Sequence, residues 1–367
     1  MRPLLVLASL CAVARADGDH LSGDWGGART WLAAHGVTFD IIYTAEAFAA
    51  RGDGAALGHI DVAVTVDHPW PGAQLYALAH NHHGESVDIG SATQVSNLEA
   101  PPYTQLSELF LEQALGDGFS LRIGKQDANR DFGTPRFSGN FINNNFGMFP
   151  TAPLPSYPTT GMGLSLGATH TWLAARAALY EGTPTINGFG LDTAFRHGGG
   201  YILAGLVAAT QELGGRDTGT QSVGVWRQSG PIAAVDGSAH SYGSDSGFYV
   251  QLDERFYRSA ERDDQSGLNL VLRFSWAQAD RTDISRNLGG SIAYHGLGTR
   301  RDDTIGIGVG YFTVAQPTNG SEEFVEAFYK WRVTAYASLQ PDLELYHHPS
   351  GINRDAILVG ARLKLKI

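Results

Sequence analysis

The sequence predicts an all-β protein, a transmembrane antiparallel β-barrel, and three observations carry that prediction. The chain opens with an export signal. Beyond residue 36, apolar and polar residues alternate with the period of two that β-strands require. The chain contains 46 glycines in 367 residues and few runs that favour a helix. Because a soluble β-sandwich would show the same alternation, the choice of a barrel depends on the export signal and on the last strand.

Residues 1–16 have the features of a secretory signal peptide. The segment has a positive charge at Arg2, an apolar run over 4–14 and a small-x-small cleavage site at 14–16. Cleavage at this site would start the mature chain at Asp17. Export in turn predicts a location outside the cytoplasm, in the outer membrane if the rest of the chain forms a barrel.

Charge and cysteine content exclude two classes of function. The chain has 26 basic and 37 acidic residues, and the signal segment carries two arginines and no acid, so the mature balance is 24 against 37, a net charge of −13. That balance argues against nucleic acid as a partner. The one cysteine, Cys11, lies in the signal segment, so we expect neither a disulfide nor a thiolate metal site in the mature chain.

Residues 17–36 form a lead-in with a short helix, which should begin near Asp24 and end before Gly36. The barrel is expected over 37–367. Its strands are clearest near the end of the chain, where "DTIGIGVGYFT" (303–313) alternates large apolar residues with glycines. The next two strands, "EEFVEAFYKWRV" and "ASLQPDLELYH", place carboxylates and other polar side chains on one face. In a barrel wall, the apolar face of each strand meets lipid outside and the polar face meets water inside.

The terminal stretch "DAILVGARLKLKI" (355–367) favours the barrel over the sandwich. From Ile357 onward every second residue is apolar, and the interleaved positions include Arg362, Lys364 and Lys366. An uncovered apolar strand of this kind invites aggregation in a soluble protein. In a closed barrel, the last strand pairs with the first, so the apolar face meets lipid and the basic side chains face the lumen.

The stretch 128–158 is rich in Asn, Phe, Pro and Gly and is too long for an ordinary connection. Its phenylalanines Phe141, Phe146 and Phe149 need burial, which the inner wall of a barrel offers. We therefore expect this stretch to fold inward as a constriction loop that narrows the pore.

Six stretches carry a family resemblance, and they occur in order over nearly the whole mature chain. They are "LSGDWGGARTWLAAHGVTF" (21–39), "VSNLEAP" (95–101), "LSELFLEQALGDGFSLRIGKQDANRDF" (106–132), "FINNNFG" (141–147), "YHGLGTRRDDTIGIGVGY" (294–311) and "LQPDLELYHHPSG" (339–351). Together they resemble the carbohydrate-selective porins of Gram-negative outer membranes. The region 183–245 matches poorly, so its strand boundaries stay open.

The resemblance implies a barrel of about sixteen strands and a passive channel that prefers small, glucose-like sugars on their way to the periplasm. It implies a non-enzyme without cofactor or metal, surrounded by outer-membrane lipid and lipopolysaccharide, and it leaves a homo-oligomer open. A general or ion-selective porin on the same barrel is the first alternative, and an outer-membrane serine hydrolase that uses Ser165 is the second.

Side chains on the inward faces are the candidates for sugar binding. Pairs of polar or aromatic residues share a face on three successive strand regions: Glu108 and Glu112, Arg122 and Gln126, and Trp172 and Arg176. Carboxylates and guanidinium groups can accept from and donate to sugar hydroxyls, and aromatic rings bind the apolar face of a pyranose. Mixed signs suit a neutral solute, whereas a ring of one sign would select ions.

Other motifs have less support. "GLSLG" (163–167) fits the pattern around a hydrolase nucleophile, Ser165, but the alternation continues through it as in one strand, and the "HGGG" at 197–200 follows the serine instead of preceding it. His80 and His82 share a face at a strand end and could hold a metal, and "YHHPSG" adds His347 and His348, but a site needs a third ligand, and histidines in polar turns at the rim are the commoner interpretation. The segment "DANRDFG" (127–133) lacks the glycine and glutamate of a calcium loop.

Export predicts the start of the mature protein. We expect N-terminal sequencing of the protein from the outer-membrane fraction to begin at or near Asp17, because the small-x-small site precedes it. Recovery of the protein in the soluble periplasmic fraction would contradict the barrel.

Overall fold

The computed structural model of the chain describes residues 18–133, 135–186, 194–213, 216–258, 266–315 and 318–367. Within these residues, sixteen antiparallel strands form a closed barrel, as the sequence analysis predicts. The signal segment 1–16 and the expected first residue Asp17 lie outside the described residues.

Each strand pairs with its neighbours in the sequence, and the first pairs with the last. The strands are β1 Val37–Ala50, β2 Asp53–Asp67, β3 Ala73–Gly84, β4 Tyr103–Gly116, β5 Phe119–Gln126, β6 Gly161–His170, β7 Leu173–Glu181, β8 Tyr201–Leu213, β9 Arg216–Ala233, β10 Ser241–Arg258, β11 Gly267–Ala277, β12 Ile284–Leu297, β13 Arg300–Val314, β14 Ser321–Arg332, β15 Ala337–His347 and β16 Ala356–Lys366.

Closure occurs as the terminal stretch predicts. The ladder between β1 and β16 extends from Ile42 opposite Lys366 to Ala50 opposite Leu358. Ile357 is exposed on the outer face and Leu358 is buried on the inner face. Within the same ladder Glu46 lies opposite Arg362, and their side chains form an ion pair inside the barrel. No edge is left to pair with another chain.

The lead-in helix, α1 (Ala28–Ala34), lies at the rim where the chain ends. The guanidinium group of Arg29 donates to the carbonyl oxygens of Phe39 at 3.1 Å and Ile367 at 2.9 Å. Gly36, with φ of 78°, follows the helix and lets the chain turn into β1. In the described residues, helices are too short and polar to cross a membrane.

The two rims differ in the length of their connections. The rim that carries both termini has short turns, such as 117–118, 171–172 and 298–299, whereas the opposite rim carries the longer connections 85–102 and 127–160. Bacterial outer-membrane barrels have short periplasmic turns and longer extracellular loops. By this rule we expect the termini on the periplasmic side and the 348–355 connection outside.

Orientation can be tested with single cysteines, because the mature chain has none of its own. A membrane-impermeant maleimide should label Ser350→Cys in intact cells and spare Thr299→Cys, since the two positions lie at opposite rims. Both variants should react after solubilisation in detergent, which controls for reactivity. The reverse pattern in cells would overturn the orientation.

Candidate functional site

The connection between β5 and β6, residues 127–160, folds into the barrel, and the predicted Phe141, Phe146 and Phe149 are buried against the wall. The ring of Phe141 lies 4.9 Å from that of Phe328, and Phe146 lies 5.9 Å from Phe324, both edge-on. Phe149 stacks on Tyr249 of β10 at 4.4 Å. The inward fold expected from the sequence is therefore present.

The glycine row of β13 makes room for this packing. A Cβ atom on Gly308 would collide with the ring of Phe146 and lie 2.8 Å from Cε1 of Phe141. A Cβ atom on Gly306 would lie 3.1 Å from Cζ of Phe141. The sequence predicts that these glycines lie on the inner face. The structure shows why the positions are glycine: aromatic rings approach the strand too closely for a side chain.

Acidic residues of the inner wall hold the backbone of the same segment. Glu326 on β14 accepts hydrogen bonds from the amides of Ile142 at 2.7 Å and Asn143 at 3.1 Å. The side-chain amide of Asn143 donates to Glu344 at 3.0 Å and to the hydroxyl of Tyr346 at 2.6 Å. The "FINNNFG" motif is thus held by hydrogen bonds to acidic residues of the wall.

A buried arginine completes this anchoring. Arg273 on β11 donates to the carbonyl oxygens of Asn145 at 2.6 Å, Gly147 at 2.8 Å and Gly133 at 3.1 Å. Its guanidinium carbon lies 4.0 Å from the centre of the Phe149 ring. One cation therefore satisfies three backbone acceptors that the fold removes from water.

The second inward connection, 85–102, attaches to the first. Its "VSNLEAP" motif contributes Asn97, whose backbone amide donates to Ile142 at 2.8 Å and whose side chain donates to Phe141 at 3.1 Å. Arg362 of β16 donates to the side-chain oxygen of Asn97 at 2.6 Å. The two connections and the wall therefore form one hydrogen-bonded unit.

A cluster of alternating charges lies beside this unit, on β4 to β7. The register pairs Glu112 directly with Arg122, and the guanidinium group donates to the carboxylate at 2.8 and 3.0 Å. Arg122 also donates to Asp131 of the inward segment at 2.7 Å. Arg176 approaches the other oxygen of Asp131 at 3.2 Å and donates to the hydroxyl of Ser165 at 3.1 Å.

The other predicted residues have different surroundings. Glu108 is buried and accepts from Arg130 at 2.6 and 2.7 Å and from the amide of Asp127 at 3.1 Å, so it holds the start of the inward segment instead of facing Arg122. Gln126 is buried and donates to the carbonyl of Gly163 at 2.8 Å.

Trp172 does not join the cluster. It lies in the two-residue turn between β6 and β7, at the rim of the termini, and 60% of its surface is exposed. The placement of Trp172 on the face of Arg176 was wrong, because β7 begins one residue later, at Leu173.

Burial sets the protonation of the two acids on the inward segment. Removal from water, reinforced by the nearby charge of Glu108, raises the pKa of Asp127 to about 7. Burial also raises the pKa of Asp131, against the opposing effect of the Arg122 and Arg176 guanidinium groups. The charge of this region therefore depends on how far water enters it.

Four further residues of this region are absent from the candidates predicted from the sequence: Arg130 and Asp131, which lie outside the strands, and Tyr76 and Phe110, which lie on β3 and β4. The rings of Tyr76 and Phe110 stack at 5.1 Å, and Arg130 lies 4.3 Å from the centre of Tyr76. Arg122 lies 5.0 Å from the centre of Phe110. The signal for Arg130 and Asp131 was present in "DANRDFG", where two charges begin a stretch that folds inward.

Water reaches the cluster through a few of its members. The side chains of Arg130, Glu112 and Arg176 are 34%, 26% and 19% exposed. Arg122 and Asp131 are nearly buried beneath them. The cluster thus presents fixed donors and acceptors to the lumen, held in place by partners behind them.

Ser165 lies within β6, with an uninterrupted ladder to β5 on one side and β7 on the other. Among the described residues, the hydrogen-bond partners found for its hydroxyl are Arg176 and Asp131. A hydrolase nucleophile instead sits on a sharp turn next to an imidazole base. The surroundings of Ser165 are those of a pore-wall residue.

Comparisons with known proteins agree with this architecture. The model of the carbohydrate-selective porin, OprB family, matches residues 68–367. The solved structures similar to the chain include the high-pH structure of Pseudomonas putida OprB, with a TM-score of 0.87 at 18% identity, covering 96% of this chain and 99% of that one.

Two further structures are similar to a lesser degree. The low-pH structure of Pseudomonas putida OprB has a TM-score of 0.66 at 19% identity and covers 96% of this chain and 100% of that one. An anion-selective porin from Comamonas acidovorans has a TM-score of 0.55 at 10% identity, covering 90% and 99%. At these identities the likeness concerns the fold alone. A search of curated proteins found no match.

The packing of the inward segment predicts its effect on conduction. Deleting 137–150 should raise single-channel conductance in planar lipid bilayers, because the deletion removes Phe149 and the whole "FINNNFG" anchor, including Phe141 and Phe146, from the lumen. Gly308→Leu should also alter conductance, because its side chain would displace Phe141 and Phe146.

The matched control is Gly205→Leu, at a position on the outer face of β8 where a Cβ atom meets its nearest neighbour, Val225, at 3.6 Å. This variant should conduct as the wild type does. If the deletion and Gly308→Leu also conduct normally, the segment lies outside the conduction path.

Proposed function

The chain belongs to the carbohydrate-selective porin, OprB family, and from that membership we propose which residues select the sugar. The protein is a carbohydrate-selective β-barrel channel, and its family and fold imply the outer membrane. Diffusion through such a channel is passive, so the solute must bind weakly enough to leave.

We propose that sugars bind at the charge cluster on β4 to β7, with glucose-like monosaccharides as the preferred solutes. The observation that carries the proposal is its charge balance. Three guanidinium groups, of Arg122, Arg130 and Arg176, stand against three carboxylates, of Glu108, Glu112 and Asp131, and they are joined by ion pairs. A balanced cluster offers hydrogen bonds without a net field, which suits a neutral polyol better than an ion.

The partly exposed members are proposed to contact the solute. Glu112 would accept from sugar hydroxyls, whereas Arg130 and Arg176 would donate to them. Arg122 and Asp131 would hold these groups in fixed positions, so little side-chain entropy is lost when a sugar binds. Each contact competes with water and is worth about 0.5–1.5 kcal/mol, which is consistent with transient binding.

We further propose that Phe141, Phe146 and Phe149 act as the base of a constriction that brings the solute against this cluster. Gln126 then has a supporting role through the β6 backbone, and Glu108 supports the segment through Arg130. Trp172, at the rim, is proposed only as a contact for solute that leaves the lumen.

The remaining features of the chain are proposals from its sequence. Residues 1–16 would be removed on export, 17–36 would form the lead-in, and 37–367 the membrane-embedded barrel. We propose no enzymatic role. Lipid and lipopolysaccharide would surround the apolar outer face, and a homo-oligomer is compatible with such a barrel.

Arg122 is the sharpest test of the sugar site. Arg122→Ala should weaken the block of ion current by glucose by up to about tenfold, because one or two hydrogen-bond donors, each worth about 0.5–1.5 kcal/mol, lose their positions. It should also shift ion preference towards cations, since Glu112 and Asp131 lose their shared partner. Glu108→Gln should shift preference towards anions, because Arg130 loses its carboxylate.

Arg227→Ala is the control, since Arg227 is exposed on the outer face of β9. It should leave both sugar block and ion preference unchanged. If Arg122→Ala and Glu108→Gln behave like this control, the cluster only lines the wall and the sugar site lies elsewhere.

A further inference from the structure

A second polar cluster lies on β2 and β3, next to strand β4, which carries Glu108 and Glu112 of the proposed sugar site. The ladder places His59 directly opposite His82 and Asp61 directly opposite His80. All four side chains are on the inner face, and the three histidines are nearly fully buried. One H-x-D pair on β2 and one H-x-H pair on β3 thus form a square of potential metal ligands.

Three of the four side chains already converge. Asp61 Oδ1 lies 2.9 Å from His59 Nε2 and 3.0 Å from His80 Nε2, and these ligand atoms lie within 4.8 Å of one another. In a tetrahedral zinc site, with metal–ligand bonds of about 2.0–2.1 Å, neighbouring ligand atoms are about 3.3 Å apart. Around a cation, the two distances from Asp61 Oδ1 would lengthen by a few tenths of an ångström (about 0.3–0.4 Å), and the two imidazole nitrogen atoms, now within 4.8 Å of each other, would move to a similar separation.

The surroundings of His80 fit a metal ligand. Its Nδ1 atom lies 2.8 Å from the hydroxyl of Ser107, a buried residue on β4. When Nε2 of a neutral imidazole binds a metal, Nδ1 carries the proton and needs an acceptor. Ser107 provides that acceptor, and the contact fixes the orientation of the ring.

A second observation points to a ligand at this place. Nε2 of His82 is buried, and among the described residues no hydrogen-bond partner is found for this atom. The rings of His59 and His82 lie 5.7 Å apart, and His82 is not one of the three converging residues, so it must change rotamer to become the fourth ligand. Buried nitrogen atoms left without partners are unusual in a folded protein.

The cluster is open to the lumen on one side and shielded from water by aromatic rings on the other. Asp61 is 30% exposed, so the cluster opens to the lumen on one side. On the other side, the ring of Tyr157 from the inward segment lies 5.3 Å from His59, and Tyr103 stacks on His82 at 5.9 Å. A partly dry pocket of this kind strengthens the attraction between a cation and the carboxylate.

We propose that His59, Asp61 and His80, with His82 in the fourth position, bind a divalent transition cation of the zinc class on the wall of the pore. Three imidazoles and one carboxylate favour such a borderline cation over magnesium or calcium, which prefer oxygen ligands. The bound cation adds positive charge to the lumen and lowers the preference of the channel for cations.

Calorimetry on the purified, chelator-treated protein in detergent tests the proposal, with zinc chloride as the probe. We expect one saturable site that survives excess magnesium or calcium. Asp61→Asn, which keeps the shape of the side chain, and His80→Ala should each weaken zinc binding at least tenfold. His82→Ala should weaken it less, because three ligands remain.

Two matched controls separate this site from adventitious binding. His83→Ala removes the adjacent imidazole, which faces away from the square and contacts Tyr43 and Asn81. His347→Ala disrupts the exposed group of His347, His348 and Asp355, the other cluster of potential ligands found among the described residues. Both controls should retain the site.

Conductance supplies an independent readout. Micromolar zinc should reduce the cation preference of the wild-type channel and of His83→Ala, and should leave Asp61→Asn unaffected. Absence of a saturable site in the wild type would overturn the proposal. So would unchanged zinc affinity in Asp61→Asn and His80→Ala, or loss of the site in His347→Ala.

Discussion

The structure depends on one constraint: a chain segment buried inside a barrel must find partners in the wall for its backbone polar groups. An unpaired buried amide or carbonyl costs about 1–3 kcal/mol. Glu326 and Arg273 meet this requirement from opposite sides, one accepting from the amides of Ile142 and Asn143 and the other donating to three carbonyl oxygens. Each of these buried groups makes several hydrogen bonds to the segment, which offsets the cost of removing it from water.

The same constraint explains why the inner wall combines glycine with acid. The rings of Phe141 and Phe146 need apolar contact, which β13 supplies by presenting glycines in place of side chains. The backbone between these rings needs acceptors, which β14 supplies with Glu326. An inner wall that was entirely apolar or entirely polar would supply either the contact for the rings or the acceptors for the backbone, but not both. The inner faces of adjacent strands therefore differ in composition, while their outer faces both remain apolar.

Much of this could be predicted from the sequence, because strand alternation fixes the face of each residue. The inward positions of Gly308, Glu326 and Arg362 follow from the period of two alone. Their partners do not, since Glu326 binds an amide that is 184 residues distant and alternation says nothing about contacts at that separation. Likewise, His59 and Asp61 join His80 only through the register of β2 on β3, which a one-residue slip would abolish.

Burial divides the charged wall residues into two groups, and this division links the fold to selectivity. Glu108, Glu326 and Glu344 are buried beneath the inward segment and hold it in place. Glu112, Arg130 and Arg176 keep part of their surface in the lumen. Asp131 connects the two groups, because it belongs to the inward segment and forms ion pairs with Arg122 and Arg176 of the wall. The position of the segment therefore sets the position of the solvent-facing guanidinium groups, so the pore cannot change its constriction without also changing the donors it offers to a sugar.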